Sequence, residues 1–424
     1  MTEIHYEPLS PEVSRDPYPF YEQMRREAPV HRIPSSGFYA VSRYADVMRV
    51  LKDPEVFSSS AMRLMMMSAM TGGIQNMPLD LDQIRSERAK VAEQLSFDPG
   101  MFLTAQSVIS SDPPHHGKMR SIVNRGFTPR RIAALEPRVR EIARELIDRV
   151  VAGQLGTFDL VRDYSIPLPV QVIAELIGVE AEKRADFKRW SDTVISAASG
   201  SGAGPQEMIA TFAEFTAYFE EVIERRRKEP ADDLISTLIA AEEGDTLTPV
   251  EVIMFAVLLL VAGNETTTNL IGNGMQALLD HPDQLEKLQA DPSMIPGFVE
   301  EALRYDSPVQ VLFRQAKADV EVAGTRIPKG SIVLPIFASA NRDEVQFPDA
   351  SRFDITRNPQ GHVAFGFGIH FCLGASLARL EARVAFEELL GSVTRLERTG
   401  AETEYIDSFL LRGPKVLPLR YEAA

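Results

Sequence analysis

The sequence predicts a mainly α-helical fold carrying a few small β-sheets, an α+β protein. Apolar residues recur at helical spacing from Pro114 to Glu243. A single long helix follows, opened at Thr248 and running to about Asp280. Beyond Asp306-Ser-Pro308 come only short strand-like pieces, Val309 to Leu312, Val320 to Val322 and Ser331 to Leu334.

Taken in order, the first sixty residues mix both signals. Pro19 to Ala28 reads as helix, Phe38 to Val41 as strand, and Tyr44 to Leu51 as a helix stopped by Asp53-Pro54. Ser58 to Phe102 is irregular and holds a methionine-rich run from Met62 to Met70, which reads either as an adaptable lid or as an ordinary mobile loop. The helical stretch is interrupted at Pro167/Pro169 and at the glycine-serine loop Ser199 to Pro205. Thr248, Pro249 and Glu251 form an N-cap, a first helical residue and a capping box. The helix they start is roughly 45–50 Å long. Its first half is apolar all round, so it crosses the core. Ile327-Pro-Lys-Gly330 is a turn, Gly361 to Gly374 a loop, and Ala375 to Leu390 the last helix. No repeat or linker divides the chain. It reads as one domain, 1–424, with a β-richer part at about 1–60, a helical core at about 114–305 and a glycine-rich loop at 361–374.

Composition narrows the function. At 44% hydrophobic and 25% charged the chain is ordinary globular protein, and a net charge of −15 argues against a nucleic-acid partner. Cys372 is the one cysteine, which leaves no internal disulfide and no cysteine-ligated iron–sulfur cluster. The N-terminus lacks a basic region followed by an apolar stretch, and the longest apolar run, Val252 to Gly263, is shorter than the ~20 residues of a bilayer span. The expectation is a soluble, cytoplasmic, monomeric protein without a membrane anchor.

Four places carry chemistry. Cys372 sits in Phe365-Gly366-Phe-Gly368-Ile-His370-Phe-Cys372-Leu-Gly374, a glycine-rich turn entering a helix, where the macrodipole favours a thiolate. The residue alone allows an inert buried thiol, a nucleophile served by His370, or an axial thiolate for haem iron. A dinucleotide loop fails, because Phe371 stands where its third glycine belongs. Ala262-Gly263-Asn264-Glu265-Thr266-Thr267-Thr268 breaks the long helix's pattern with a glycine, three β-branched threonines and a carboxylate. Small residues there admit a ligand, and a hydroxyl beside a carboxylate can hold water and pass protons; a kinked core helix is the plain alternative. Glu301-Ala-Leu-Arg304 is weak by itself, since the same spacing occurs at Glu22–Arg25, Glu141–Arg144 and Glu224–Arg227. Finally, His115 to Arg131 contains no acid, so it offers either a basic patch for an anion or acidic partner, or a solvated helix face. No His-Glu-x-x-His or paired Cys-x-x-Cys supports a zinc enzyme.

In this order, these four pieces resemble the cytochrome P-450 family, the haem-thiolate monooxygenases in their soluble bacterial form. The match runs from Asp16-Pro17-Tyr18 to Leu411-Arg412-Gly413. The resemblance implies the P-450 fold, with haem b (iron protoporphyrin IX) between the long helix and the Cys372 loop. Cys372 would be the metal ligand. His116, Arg120, Arg314 and His370 would bind the propionates, and Ala262, Gly263, Phe365, Gly366 and Gly374 would border the cofactor. Glu265 and Thr266 would flank the oxygen site and deliver protons. Glu301 and Arg304 would be a buried structural pair, with Arg352, or Arg357, as third member. Val257, Leu258, Val261, Ala262, Val309, Val311, Leu312, Phe409 and Leu410 would wall an apolar pocket for a small, largely apolar substrate. The segment from Phe57 to Asp112 is longer than the family's usual, and the helix acid is Glu rather than the commoner Asp.

The implied reaction inserts one oxygen atom of O2 into a C–H bond, or epoxidises, in secondary metabolism. The chain ends too soon after Cys372 for a reductase domain. Electrons would therefore come from NAD(P)H through a ferredoxin and ferredoxin reductase, docking on Lys118, Arg125, Arg130 and Arg131. A peroxide-driven peroxygenase on the same fold and a non-catalytic haem sensor are the alternatives, with a cysteine hydrolase more distant.

Overall fold

The computed structural model describes residues 4–62, 107–153, 156–198, 205–240, 247–400 and 403–423. The methionine run beyond Met62 and the glycine-serine loop up to Gly204 lie outside the described residues.

The central helix is Pro249–Asp280, 32 residues and about 48 Å long. Thr248 Oγ1 accepts from the Glu251 amide and the Glu251 carboxylate accepts from the Thr248 amide, so the capping box closes as the sequence requires. The helix is long and apolar enough to cross a bilayer by composition, yet most of that stretch is buried inside the protein. Its C-terminal half packs Leu270, Ile271, Met275 and Leu278 into one core with Phe298, Leu303, Phe386 and Leu389. Those partners come from helix Ile295–Tyr305 and from helix Ala375–Ser392. Its N-terminal half packs Val252, Phe255, Val257 and Leu260 into a second core with Ile173, Trp190, Phe215 and Phe219.

Pro167 does not break a helix; it starts one, Pro167–Leu176, at the first turn, where a missing N–H is not needed. A single π-helical turn, Val161–Ser165, leads into it.

The β-structure is small and gathers chain ends. Strands β1 (Val30–Arg32), β2 (Tyr39–Val41), β3 (Phe57–Ser58), β5 (Arg314–Ala316) and β8 (Ile332–Pro335) form one sheet in the order β1-β2-β8-β5-β3. Among the described strands only β2 and β8 run parallel, with Tyr39 opposite Val333. β4 (Thr157–Asp159), β9 (Val393–Arg398) and β10 (Pro418–Ala423) make a second sheet, with β10 central, and β6 (Val320–Val322) and β7 (Thr325–Ile327) make a hairpin. The expected strand Val309 to Leu312 is not one. Val309 and Val311 make isolated bridges to Leu411 and Ile336. Gln310 between them bonds Leu410 and Ala338 through its main chain, two partners from different segments, so no continuous ladder forms until Arg314.

Candidate active site

The Cys372 turn is built by glycines. Gly366 and Gly368 take φ of 68° and 73°, and a Cβ at Gly368 would stand 2.7 Å from the Leu51 carbonyl oxygen. The turn closes with the Cys372 amide donating to the Phe365 carbonyl at 2.9 Å. Gly374 then caps helix Ala375–Ser392, so the half-buried thiol lies just outside a helix N-terminus. Burial pushes the thiol pKa up; the Gly374 N–H and the charges of Arg120 and Arg379 oppose this without overcoming it. In the protein alone the dipole therefore loses to desolvation, and a metal ion is what would deprotonate this sulfur.

Beside the turn, four nitrogen-bearing side chains converge. The His116 and His370 ring centroids are 4.3 Å apart. Arg314 is buried, and among the described residues its guanidinium donates only to the Phe313 carbonyl, at 2.8 Å. Burial lowers its pKa to about 10. Arg120 donates to the Phe371 carbonyl at 2.7 Å. Burial, together with the charges of Arg314, His116 and Arg120, drives His370 down to about 3, so it is neutral. Asp112, the nearby carboxylate, is engaged by Ser58 Oγ at 2.5 Å and the Ser59 amide at 2.9 Å. Among the described residues His116 Nε2 is buried without a hydrogen-bond partner. Asp112 is felt by His116 and Arg314 but is held by Ser58 and Ser59, so the cluster keeps donors that the carboxylates of a porphyrin fit.

On the central helix, Ala262 is exposed and Thr266 half-buried amid buried neighbours, which marks an open cleft along that face. Thr266 Oγ1 donates to the Ala262 carbonyl at 2.6 Å, leaving its lone pairs free to accept from the cleft. Glu265 is buried at 7% exposure, and desolvation alone raises its pKa to about 7. Gly263 serves a purpose the sequence does not disclose. A Cβ there would meet Ile173 Cδ1 at 2.6 Å, so the glycine admits a neighbouring helix.

Glu301 and Arg304 are wholly buried and joined by two bonds of 2.7 Å. Arg304 spends its remaining donors on the carbonyls of Asn341, Ala350 and Arg352. The third member is Arg357, whose Nε reaches Glu301 Oε1 at 3.2 Å. The Arg352 side chain is therefore a correction: this residue enters through its carbonyl, because the bend from Asp349 to Arg352 turns its main chain toward Arg304.

Among the pocket residues, Val257 is buried, while Leu258, Val261, Val309, Leu312, Phe409 and Leu410 keep partial exposure. Val311 has none and packs with Phe313 and Ile336, so it supports the wall from behind rather than lining it. The sequence reading missed several residues. Ser59 Oγ meets His370 Nε2 at 2.8 Å. Glu381 is buried beneath the central helix, where burial lifts its pKa to about 8 and a bond from Thr267 opposes the rise. Glu300, His362 and Arg379 form a hydrogen-bonded cluster, with Arg379 against the Phe365 ring. A second glutamate directly before Glu301 was the available signal.

Against known proteins, the cytochrome P-450 family model matches residues 203–415. The crystal structure of CYP109Q5 from Chondromyces apiculatus is 46% identical, with a TM-score of 0.85 over 99% of this chain and 98% of that one. CYP109E1 from Bacillus megaterium, solved with testosterone, is 37% identical, with a TM-score of 0.80 over 96% of this chain and 99% of that one. The Vitamin D(3) 25-hydroxylase of Pseudonocardia autotrophica is 39% identical over 96% of this chain and 94% of its own length. On this likeness the chain belongs to the cytochrome P-450 monooxygenases, a family that carries haem and takes its electrons from outside.

Proposed function

We propose that this protein inserts one oxygen atom of O2 into a C–H bond of a bulky, largely apolar molecule of sterol size, with haem b as cofactor. The observation that carries the reading is the cation-rich cluster of His116, Arg120, Arg314 and His370 beside Cys372. Cys372 would ligate the iron and the cluster would take the propionates. Haem bound there supplies oxygen activation and transfer. The chain supplies protons and placement. With a pKa of about 7, Glu265 is close to half protonated at neutral pH, so it can release a proton into the cleft and regain one. Thr266, its own proton committed to Ala262, accepts from a water or hydroxyl on the cleft side and holds it in line. This pair favours O2 over peroxide as oxidant, since a peroxide arrives already carrying its protons.

The walls Val257, Leu258, Val261, Ala262, Val309, Leu312, Phe409 and Leu410 are apolar and would select for shape. Sterol size is supported by the relatives that bind testosterone or bear a vitamin D name. Electrons would come from NAD(P)H through a ferredoxin and its reductase to a soluble, cytoplasmic, monomeric single-domain enzyme. Of the basic stretch, Arg131 is engaged by Asp232 and Thr237. Lys118 and Arg130 are exposed and carry no ion pair among the described residues. On the Cys372 turn, which Arg120 reaches from the same helix as Lys118, Phe367, Ile369 and Phe371 are 36–40% exposed and would give a docking face an apolar part. Steroids and secosteroids added to the haem-loaded enzyme with a ferredoxin system should drive NAD(P)H consumption and yield a product heavier by one oxygen. Binding without any product, with the partners active on a control enzyme, would overturn the reading.

A further inference from the structure

Three side chains meet below the Cys372 turn. Arg379, on helix Ala375–Ser392, donates from Nε to Glu300 Oε1 at 2.6 Å and from Nη2 to Glu300 Oε2 at 2.9 Å, a two-pronged fork. His362 Nε2 lies 3.0 Å from the same carboxylate. The Ala364 amide donates to His362 Nδ1 at 3.3 Å, which assigns the ring proton to Nε2 and makes the imidazole a donor to Glu300. Burial would raise the Glu300 pKa, but Arg379 and His362 overrule it and hold the group at about 2. The Arg379 guanidinium stacks 4.5 Å from the centre of the Phe365 ring. Phe365 in turn accepts the Cys372 amide through its carbonyl.

An arginine on a half-exposed helix face ordinarily keeps many rotamers. Here a fork and a ring hold it in one. Its charge is thereby fixed against the residue whose carbonyl takes the Cys372 amide, one contact from the sulfur's own turn. Adding an electron to a group ligated by that sulfur makes the site more negative, and a fixed positive charge favours the added electron. We propose that Arg379 is a positioning residue that sets the reduction potential of haem held on Cys372, by a charge that Glu300 and His362 lock against the Phe365 ring. This rests on the haem-thiolate reading above.

The test is a spectroelectrochemical titration of the haem-loaded protein with small-molecule mediators. With no protein partner present, any role of Arg379 in docking cannot contribute. Arg379→Gln should lower the potential by about a tenfold change in the reduction equilibrium, ~59 mV for one electron. Glu300→Gln should move it the opposite way, because Arg379 then acts without its counter-charge. Arg379→Lys should stay near the parent. Potentials equal to the parent in Arg379→Gln, or same-sign shifts in Arg379→Gln and Glu300→Gln, overturn the proposal. If Glu300→Gln does not fold, the Gln and Lys variants of Arg379 decide it between them. The reduced carbon-monoxide spectrum of the same samples reads the thiolate separately. An unmoved potential under an intact thiolate band overturns this proposal alone; a parent without that band overturns the haem reading and the proposal together.

Discussion

Burying Glu265 makes its proton hard to lose. The folded pKa is about 7 against an ordinary 4.5. Between those values the folded chain holds more protons than the unfolded one, so this residue's effect on stability worsens as pH rises through that window. Above pH 7 the penalty is on the order of 3 kcal/mol. Glu265→Gln should therefore raise the melting temperature of the haem-loaded protein at pH 8 and leave it unchanged near pH 4.5, while turnover with O2 falls. Equal melting temperatures at pH 8 would show that the carboxyl is not desolvated. The residue type was legible in the sequence, because a carboxylate in an apolar helix demands a reason. Gly263 was not: the Ile173 side chain that needs its space comes from a distant helix.

At the scale of elements, the Glu301–Arg304 pair ties helix Ile295–Tyr305 to the segment Asn341–Asp354 below the Cys372 turn. All five Arg304 donors are used, so removing the carboxylate leaves a buried charge unpaired. Glu301→Gln should cost about 3–5 kcal/mol and sharply reduce the yield of haem-loaded protein. Arg357→Gln should cost less, about 1–3 kcal/mol, and Arg352→Gln within ~0.5 kcal/mol, since only its main chain takes part. Denaturant midpoints of the three variants would check this order, and a larger loss for Arg352 would contradict it. The helices were legible because their caps and stops are local: Thr248, Pro249 and Glu251 start the central helix and His281-Pro282 ends it. The choice between Arg352 and Arg357 was not, because it depends on which way a loop turns. One short strand failed for the same reason: Val309 to Leu312 has strand composition but no continuous partner, whereas Val320 to Val322 and Ile332 to Pro335 have theirs.

For the whole molecule, a chain of net charge −15 in which Lys118 and Arg130 are exposed and carry no ion pair among the described residues would steer an acidic partner to that basic stretch. Lys118→Glu with Arg130→Glu should raise the ferredoxin KM severalfold at low salt, and the difference should shrink near 0.5 M salt. Unchanged kinetics at low salt would remove that docking face. The architecture was legible at this scale because four motifs keep their order along the chain. Folding brings His116, Arg314 and His370, far apart in sequence, into one cluster, and no local pattern announces such a meeting. The central claim is that the sulfur of Cys372 ligates haem iron, and the reduced carbon-monoxide difference spectrum tests it most directly. The parent should show the red-shifted Soret band of a thiolate ligand, and Cys372→Ser should lose it. A parent without that band, or a serine variant that keeps it, would contradict the account.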